Sequence, residues 1–136
     1  MKPKFRVWNK ELCKWEQDTC LLSQDGSLYH TEYMCRVGLS THIVTFYTGL
    51  KDKNGVEIYE GDIIQSVSEM VRLDTNEKTG KIKTENYEVR WEPEKARWGR
   101  WKDNKFELLS GLDKGYLLKW YSVIGNIYEN PELVDK

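Results

Sequence analysis

The chain has 136 residues, with 21 basic and 22 acidic side chains and a formal net charge of −1. This length suits one domain, and the charge balance argues against a whole surface built to hold DNA or anionic lipid. No apolar stretch approaches the length of a membrane span or signal-peptide core, and three cysteines would leave one unpaired in an oxidising compartment. We therefore expect a cytoplasmic protein with reduced cysteines and no membrane association.

Short extended segments joined by turns are predicted for the first forty residues. Phe5 and Val7 alternate with Arg6 and Trp8, which is typical of a short strand, and residues 12–15 form its return partner. Asp25-Gly26 stands between the runs 21–24 and 27–30, and this placement favours a β-hairpin. Residues 31–41 show no period and are expected to be irregular.

The segment 47–64, YTGLKDKNGVEIYEGDII, carries the clearest local signals. It follows a strand predicted over residues 43–47, and its glycines supply positions that tolerate positive φ where the backbone must reverse. Val56, Ile58 and Tyr59 favour an extended backbone. The segment is predicted to be scaffold and to perform no reaction. Its expected structural residues are Gly49, Asp52, Asn54, Gly55, Tyr59, Gly61 and Asp62.

The same segment resembles the signature of the YopX family, small proteins typical of bacteriophages and prophages. The stretches KFRVWNK at 4–10 and VIGNIYENPEL at 123–133 support the resemblance at both ends of the chain. The resemblance implies a mainly β fold, an antiparallel SH3-like small barrel with an N-terminal β-hairpin extension and little helix. We expect one domain over residues 1–136, with a possible N-terminal subdomain at 1–40 and the barrel at 41–136. The resemblance implies no activity and carries over no catalytic or binding residues.

The second half of the chain is predicted to continue as strands. A long strand over 63–73 leads to a polar turn at 74–80, and the return strand alternates, with Tyr87, Val89 and Trp91 on one face. Pro93 ends this strand because it cannot donate to a central ladder. Further predicted features are a hairpin over 95–105 that bends at Gly99 or at 103–104, strands at 106–109, 117–121 and 123–128, and a one-turn helix beginning at Asn130-Pro131.

A basic, tryptophan-containing segment over residues 95–105 is the strongest candidate for binding. It carries five basic side chains and one acidic side chain in a chain that is otherwise slightly acidic. Interleaved Trp and Arg suit single-stranded nucleic acid, because cations meet phosphates and indoles stack on bases. The alternative is that Trp98 and Trp101 fill the core or a subunit interface, with the arginines paired to Glu92 and Glu94. The candidate nucleic-acid-binding residues are Lys95, Arg97, Trp98, Arg100, Trp101 and Lys102.

Catalytic and metal-binding patterns are weak. Six residues separate Cys13 from Cys20 and eleven separate His30 from His42, unlike the close ligand pairs of zinc sites. No nucleophile elbow and no phosphate-binding glycine loop occurs. We therefore expect no cofactor, no metal and no catalytic residue. A metal-dependent nuclease is a distant alternative, based on the acidic residues Glu57, Glu60, Asp62, Glu92 and Glu94 with Lys95.

The functional expectation is a phage or prophage accessory protein that acts by binding or self-assembly in the bacterial host. Short strands leave exposed edges that proteins pair or cover, and six Trp and eight Tyr are many for one small core. A homo-oligomer is therefore expected. A host or phage protein remains a possible partner, and nucleic acid remains open through the basic segment.

Overall fold

The computed structural model describes residues 4–31, 35–38, 40–109, 112–113 and 117–134. It consists of two compact units, Met1–Tyr47 and Thr48–Lys136. The mainly β class is confirmed, because the described ranges contain strands and two one-turn 3-10 helices, Gln17–Thr19 and Pro131–Leu133, but no α-helix. The strands are β1 Phe5–Asn9, β2 Lys14–Trp15, β3 Cys20–Leu22, β4 Leu28–His30, β5 Cys35–Val37, β6 His42–Asp52, β7 Glu57–Tyr59, β8 Asp62–Val71, β9 Lys78–Glu92, β10 Arg97–Lys102, β11 Lys105–Leu108, β12 Leu112–Asp113, β13 Leu117–Leu118 and β14 Tyr121–Asn126.

In the N-terminal unit, β1 pairs antiparallel with β2 and with the first half of β6. Strands β3, β4 and β5 form a separate three-stranded antiparallel sheet. Val7, Cys20 and Leu28 are buried together and form the core of this unit. The hairpin predicted around Asp25-Gly26 is present, since Leu22 pairs with Leu28 across that turn.

One strand of this unit was not expected from the sequence. The segment 31–41 was predicted to be irregular, but Cys35–Val37 forms β5, in which Val37 pairs with Leu28 of β4. The three residues Cys, Arg and Val are too few to show a period. Their extended backbone depends on pairing with β4, which is a tertiary contact that local propensity does not record. Residues 32–34 and 39 of the predicted segment lie outside the described part.

A buried contact between two polar side chains links the beginning of β6 to the segment that follows β2. The Nε2 atom of His42 lies 2.9 Å from Oε1 of Glu16, and both side chains are less than a tenth exposed. The amide of Asn9 donates to the same carboxylate oxygen at 3.0 Å. Burial alone would raise the pKa of Glu16, but the hydrogen bonds from Asn9 and His42 outweigh it and lower that pKa.

In the C-terminal unit, five strands form an antiparallel sheet in the order β11-β10-β9-β8-β14. The alternation predicted for β9 is present at Tyr87 and Val89, which are buried against Ile58, Ile64 and other core residues, whereas Trp91 is 39% exposed. Within the described ladders, β11 and β14 are the two edges of this sheet and do not pair with each other. The sheet is therefore open, and the expected SH3-like barrel is not confirmed.

The turns of the C-terminal unit differ slightly from those expected. The turn between β8 and β9 spans residues 72–77 and not 74–80 as predicted, because β8 ends at Val71 and β9 begins at Lys78. The β10–β11 hairpin bends at Asp103 and Asn104, whose φ angles are +52° and +64°, and Gly99 lies within β10. Two consecutive positive φ values are the geometry of a tight two-residue hairpin turn, which Asp and Asn tolerate better than most residues. Pro131 begins the last 3-10 helix, as predicted, but the side chain of Asn130 makes no capping hydrogen bond.

Candidate functional site

The central segment is organised around the carboxylate of Asp52, which is 1% exposed. Its Oδ1 atom accepts hydrogen bonds from the backbone N–H groups of Asn54 at 2.8 Å and Val56 at 2.9 Å. Its Oδ2 atom accepts from the N–H of Val123 in β14 at 2.8 Å. One side chain thus shapes the turn between β6 and β7 and joins that turn to the last strand.

The other residues of the central segment also bond to or shape the backbone. Oδ2 of the buried Asp62 accepts from the N–H of Tyr59 at 2.8 Å. Gly49, Gly55 and Gly61 all have positive φ, at +85°, +84° and +88°. The side chains and glycines of the segment therefore shape the turns that connect strands β6, β7 and β8.

The basic segment divides between the two faces of β10. On the face towards the core, Trp98 packs against the hydrophobic cluster, and its ring centroid is 4.8 Å from that of Trp91. The guanidinium of Arg100 donates to the hydroxyl of Tyr121 and, at 3.1 Å, to Glu107. Nζ of Lys102 lies 3.5 Å from Glu85.

On the opposite face of β10, Arg97 forms an ion pair with Glu92, and Trp101 lies beneath Arg90 with 4.0 Å between the guanidinium carbon and the ring centroid. Lys95 is exposed in the turn before β10. The six candidate residues therefore do not form one continuous surface, and every one except Lys95 has a partner within the sheet. Their role in binding nucleic acid stays a prediction.

A cleft of about 470 Å³ lies beside the stacked pair of Arg90 and Trp101. Glu88, whose Oε1 atom accepts from Arg90 at 3.1 Å, lines it together with apolar side chains of the C-terminal segment. Sequence reasoning did not select Arg90, because in the sequence it is only one polar member of an alternating strand. The cross-strand register that places Arg90 next to Trp101 is a property of the folded hairpin.

The acidic residues considered for a metal-dependent reaction do not converge on a metal site. Among the described residues, no group of three or more His, Cys, Asp or Glu side chains is arranged to hold a metal ion. Burial raises the pKa of Glu60, and the nearby charge of Glu88 raises it further.

Cys13, Cys20 and Cys35 are free thiols. Among the described residues, none forms a helix with the length and hydrophobicity of a membrane-spanning segment.

These observations define a small all-β protein with two compact units, each of which contains antiparallel strands. In the second unit, the buried carboxylate of Asp52 holds the central turn. The chain belongs to the YopX family, since the family model described as YopX protein matches residues 4–135. The family resemblance noted from the sequence is thereby confirmed.

One solved structure similar to this chain is the crystal structure of protein EF1440 from Enterococcus faecalis. The two sequences are 26% identical, the match covers 99% of each chain, and the TM-score is 0.56. Among curated proteins, none matches this chain.

Proposed function

We propose that this protein is a phage or prophage accessory protein that acts by binding in the cytoplasm of the bacterial host, without catalysis, and assembles with copies of itself. Membership of the YopX family supports the phage or prophage setting. The single observation that supports self-assembly is the projecting part of the β8–β9 hairpin, residues 67–85, here called the arm.

The arm extends beyond its neighbouring strands. Strand β14 pairs with β8 only as far as Ser66, and β10 pairs with β9 only from Glu88 onward. No other described strand pairs with residues 67–85. Two-stranded ribbons are at best marginally stable alone in water, and uncovered strands are templates for association. A partner that covers the arm would therefore stabilise it.

Apolar side chains are exposed on the arm. Val67 is 46% exposed, Ile82 is 68% exposed and Leu73 at the tip is fully exposed. Val67 pairs with Thr84, and Glu69 pairs with Ile82, so Val67 and Ile82 are diagonal neighbours on one face. Together they form an apolar patch that a protein surface would cover.

The charge of the arm favours a second copy over a nucleic acid. Its acidic and basic residues are equal in number, so it carries no net charge to attract a polyanion. Two copies of a neutral arm meet without net repulsion, and exposed Ile and Val supply apolar contact area. The charged residues are Glu69, Asp74, Glu77 and Glu85 against Arg72, Lys78, Lys81 and Lys83.

Sedimentation or light scattering of the pure protein tests the proposal. The wild-type chain is expected to show a mass that is a multiple of one chain at micromolar concentration, and Ile82→Glu is expected to reduce it to one chain. Leu12→Glu is the matched control, because Leu12 is 61% exposed in a turn of the N-terminal unit. A monomeric wild-type protein, or an Ile82→Glu variant of unchanged mass, contradicts self-assembly through the arm.

A further inference from the structure

The outer edge of β6 in the N-terminal unit has backbone groups that point away from its neighbour. In the antiparallel ladder between β1 and β6, the N–H of Tyr47 donates to Lys4 and the N–H of Lys10 donates to Thr41. Hydrogen-bonded pairs recur at every second residue of such a ladder, so the odd-numbered residues of this half of β6 bond to β1. The N–H and C=O groups of Val44 and Phe46 therefore point to the opposite edge.

No described strand pairs with this opposite edge at residues 42–46. The N–H of His42 is already used, since it donates to Gly38 at 3.2 Å. Val44 and Phe46 thus offer two donors and two acceptors spaced two residues apart, which is the spacing that an added strand requires.

An apolar groove of about 370 Å³ runs along the same edge. Its lining includes the consecutive residues His42, Ile43 and Val44, together with Phe46 and with Leu22 of β3. Side chains of successive residues point to opposite faces of a strand, so a groove touched by all of them follows the edge of β6 and not one face. The groove therefore lies where an added strand would place its side chains.

We propose that this edge binds an extended peptide segment of another protein by strand addition, with apolar side chains at alternate positions of the peptide. The main chain of the peptide bonds to Val44 and Phe46, and its apolar side chains enter the groove beside Leu22. Recognition by main-chain hydrogen bonds with pockets for alternate side chains is a general mode of peptide binding.

The size of the edge favours a short peptide over a second folded copy. Five residues of strand span about 16 Å, and stable dimers bury roughly 1,200–2,000 Å² of surface in total. A single added strand of this length covers less than that, so the contact suits a transient peptide ligand. It is also a different surface from the arm, and its test does not depend on self-assembly.

Amide hydrogen exchange measured by NMR on the full chain tests the geometry of the edge. The amides of Val44 and Phe46 are expected to exchange about tenfold faster or more than those of Ile43 and Thr45, which bond to β1. Equal protection at all four positions would show that the edge is already covered and would overturn the proposal.

The binding itself is tested with a capped peptide of about eight residues in which Val alternates with Ser, with one Lys at each end for solubility. Saturable binding that slows exchange at Val44 and Phe46 supports strand addition. The same peptide N-methylated at every residue should lose binding, because all of its main-chain donors are blocked. Absence of binding at millimolar peptide, or equal binding of the N-methylated form, overturns the proposal.

Variants of Phe46 give a second comparison. Phe46→Pro removes one donor from the outer edge and leaves the ladder to β1 untouched, so peptide affinity should fall about tenfold relative to Phe46→Ala, which keeps the N–H. Equal affinities in the two variants would contradict the proposal. If Phe46→Pro does not fold, the N-methylated peptide decides the question.

Discussion

The carboxylate of Asp52 and the backbone N–H of Val123 are joined by a 2.8 Å hydrogen bond across 71 positions of the chain. The same carboxylate closes the local turn through Asn54 and Val56. A buried ion is costly unless hydrogen bonds satisfy it, and here three N–H donors do so. The central turn and the last strand therefore depend on one side chain.

Asp52→Asn should lower the free energy of unfolding by about 1–3 kcal/mol, because an amide has one acceptor oxygen and would turn its NH₂ group towards a backbone donor. Chemical denaturation followed by tryptophan fluorescence measures the change. Asp103→Asn is the control, since Asp103 is exposed in a turn with positive φ that Asn also tolerates. Equal effects of the two substitutions would show that the Asp52 hydrogen bonds do not stabilise the unit.

Gly61 and Gly55 should respond differently to alanine. Both have similar positive φ, but a Cβ atom at Gly61 would lie 3.0 Å from the ring of Tyr128, whereas no atom lies within 4 Å of one at Gly55. Gly55→Ala should cost about 1–2 kcal/mol for the left-handed backbone alone, and Gly61→Ala should cost more. Thermal unfolding of the two variants gives the comparison. A Gly61→Ala variant as stable as Gly55→Ala would mean that Tyr128 moves aside freely.

Glu85 should contribute to the acid sensitivity of the C-terminal unit. The hydroxyl of Tyr87 donates to this carboxylate at 2.6 Å and Lys83 lies 2.9 Å away. The hydrogen bond from Tyr87, followed by that from Lys83, lowers the pKa of Glu85 from 4.5 to about 2. Because the folded pKa is the lower one, this stabilisation is complete above about pH 4.5 and is lost as the pH falls towards about 2.

Glu85→Gln is therefore expected to reduce the difference in unfolding free energy between about pH 6 and about pH 3. Glu94→Gln, at an exposed turn position, serves as the control. Denaturation at the two pH values measures both variants. If the pH difference of Glu85→Gln equals that of the wild type, the carboxylate does not carry the effect.

The two side chains His42 and Lys14, which both contact Glu16, should differ in their contribution to stability. His42 pairs with Glu16 at 2.9 Å and is 9% exposed, whereas Lys14 lies 3.6 Å away and is 58% exposed. His42→Ala should destabilise the N-terminal unit by about 1–3 kcal/mol, because it leaves a buried carboxylate short of a donor. Lys14→Ala should cost less than about 1 kcal/mol, as exposed pairs do. Thermal unfolding ranks the two, and the reverse order would contradict the buried pair.

Much of the fold could be predicted where short-range chemistry determines it. Asp25-Gly26 and Pro93 mark turns through local φ preferences and a missing donor, and the period of two in β9 follows from burial of Tyr87 and Val89. Strand β5 could not be predicted, because three residues show no period and only the pairing with β4 extends them. Whether the five-stranded sheet closes into a barrel depends on which strands far apart in the sequence pair with each other, and no local sequence pattern indicates that.

The candidate site was harder to predict than the fold. Composition selected Arg97, Arg100 and Lys102, but composition cannot indicate that Glu92, Glu107 and Glu85 lie within reach of them. The alternative pairing of Arg97 with Glu92 was considered from their proximity in sequence. The outer edge of β6 could not be predicted from the sequence. It is defined by which residues of β6 direct their backbone N–H and C=O groups away from β1, and this alternation does not depend on residue type.

The bond between Asp52 and Val123 has a consequence for biosynthesis. Proteins emerge from the ribosome N-terminus first, so Asp52 is exposed long before Val123 has been added. During that interval its second oxygen must remain hydrated, and the C-terminal unit can reach its final form only after Val123 and the rest of β14 have been added. The unit is therefore expected to assemble in one late step, and a product truncated before β14 should keep the local turn but remain a target for proteases.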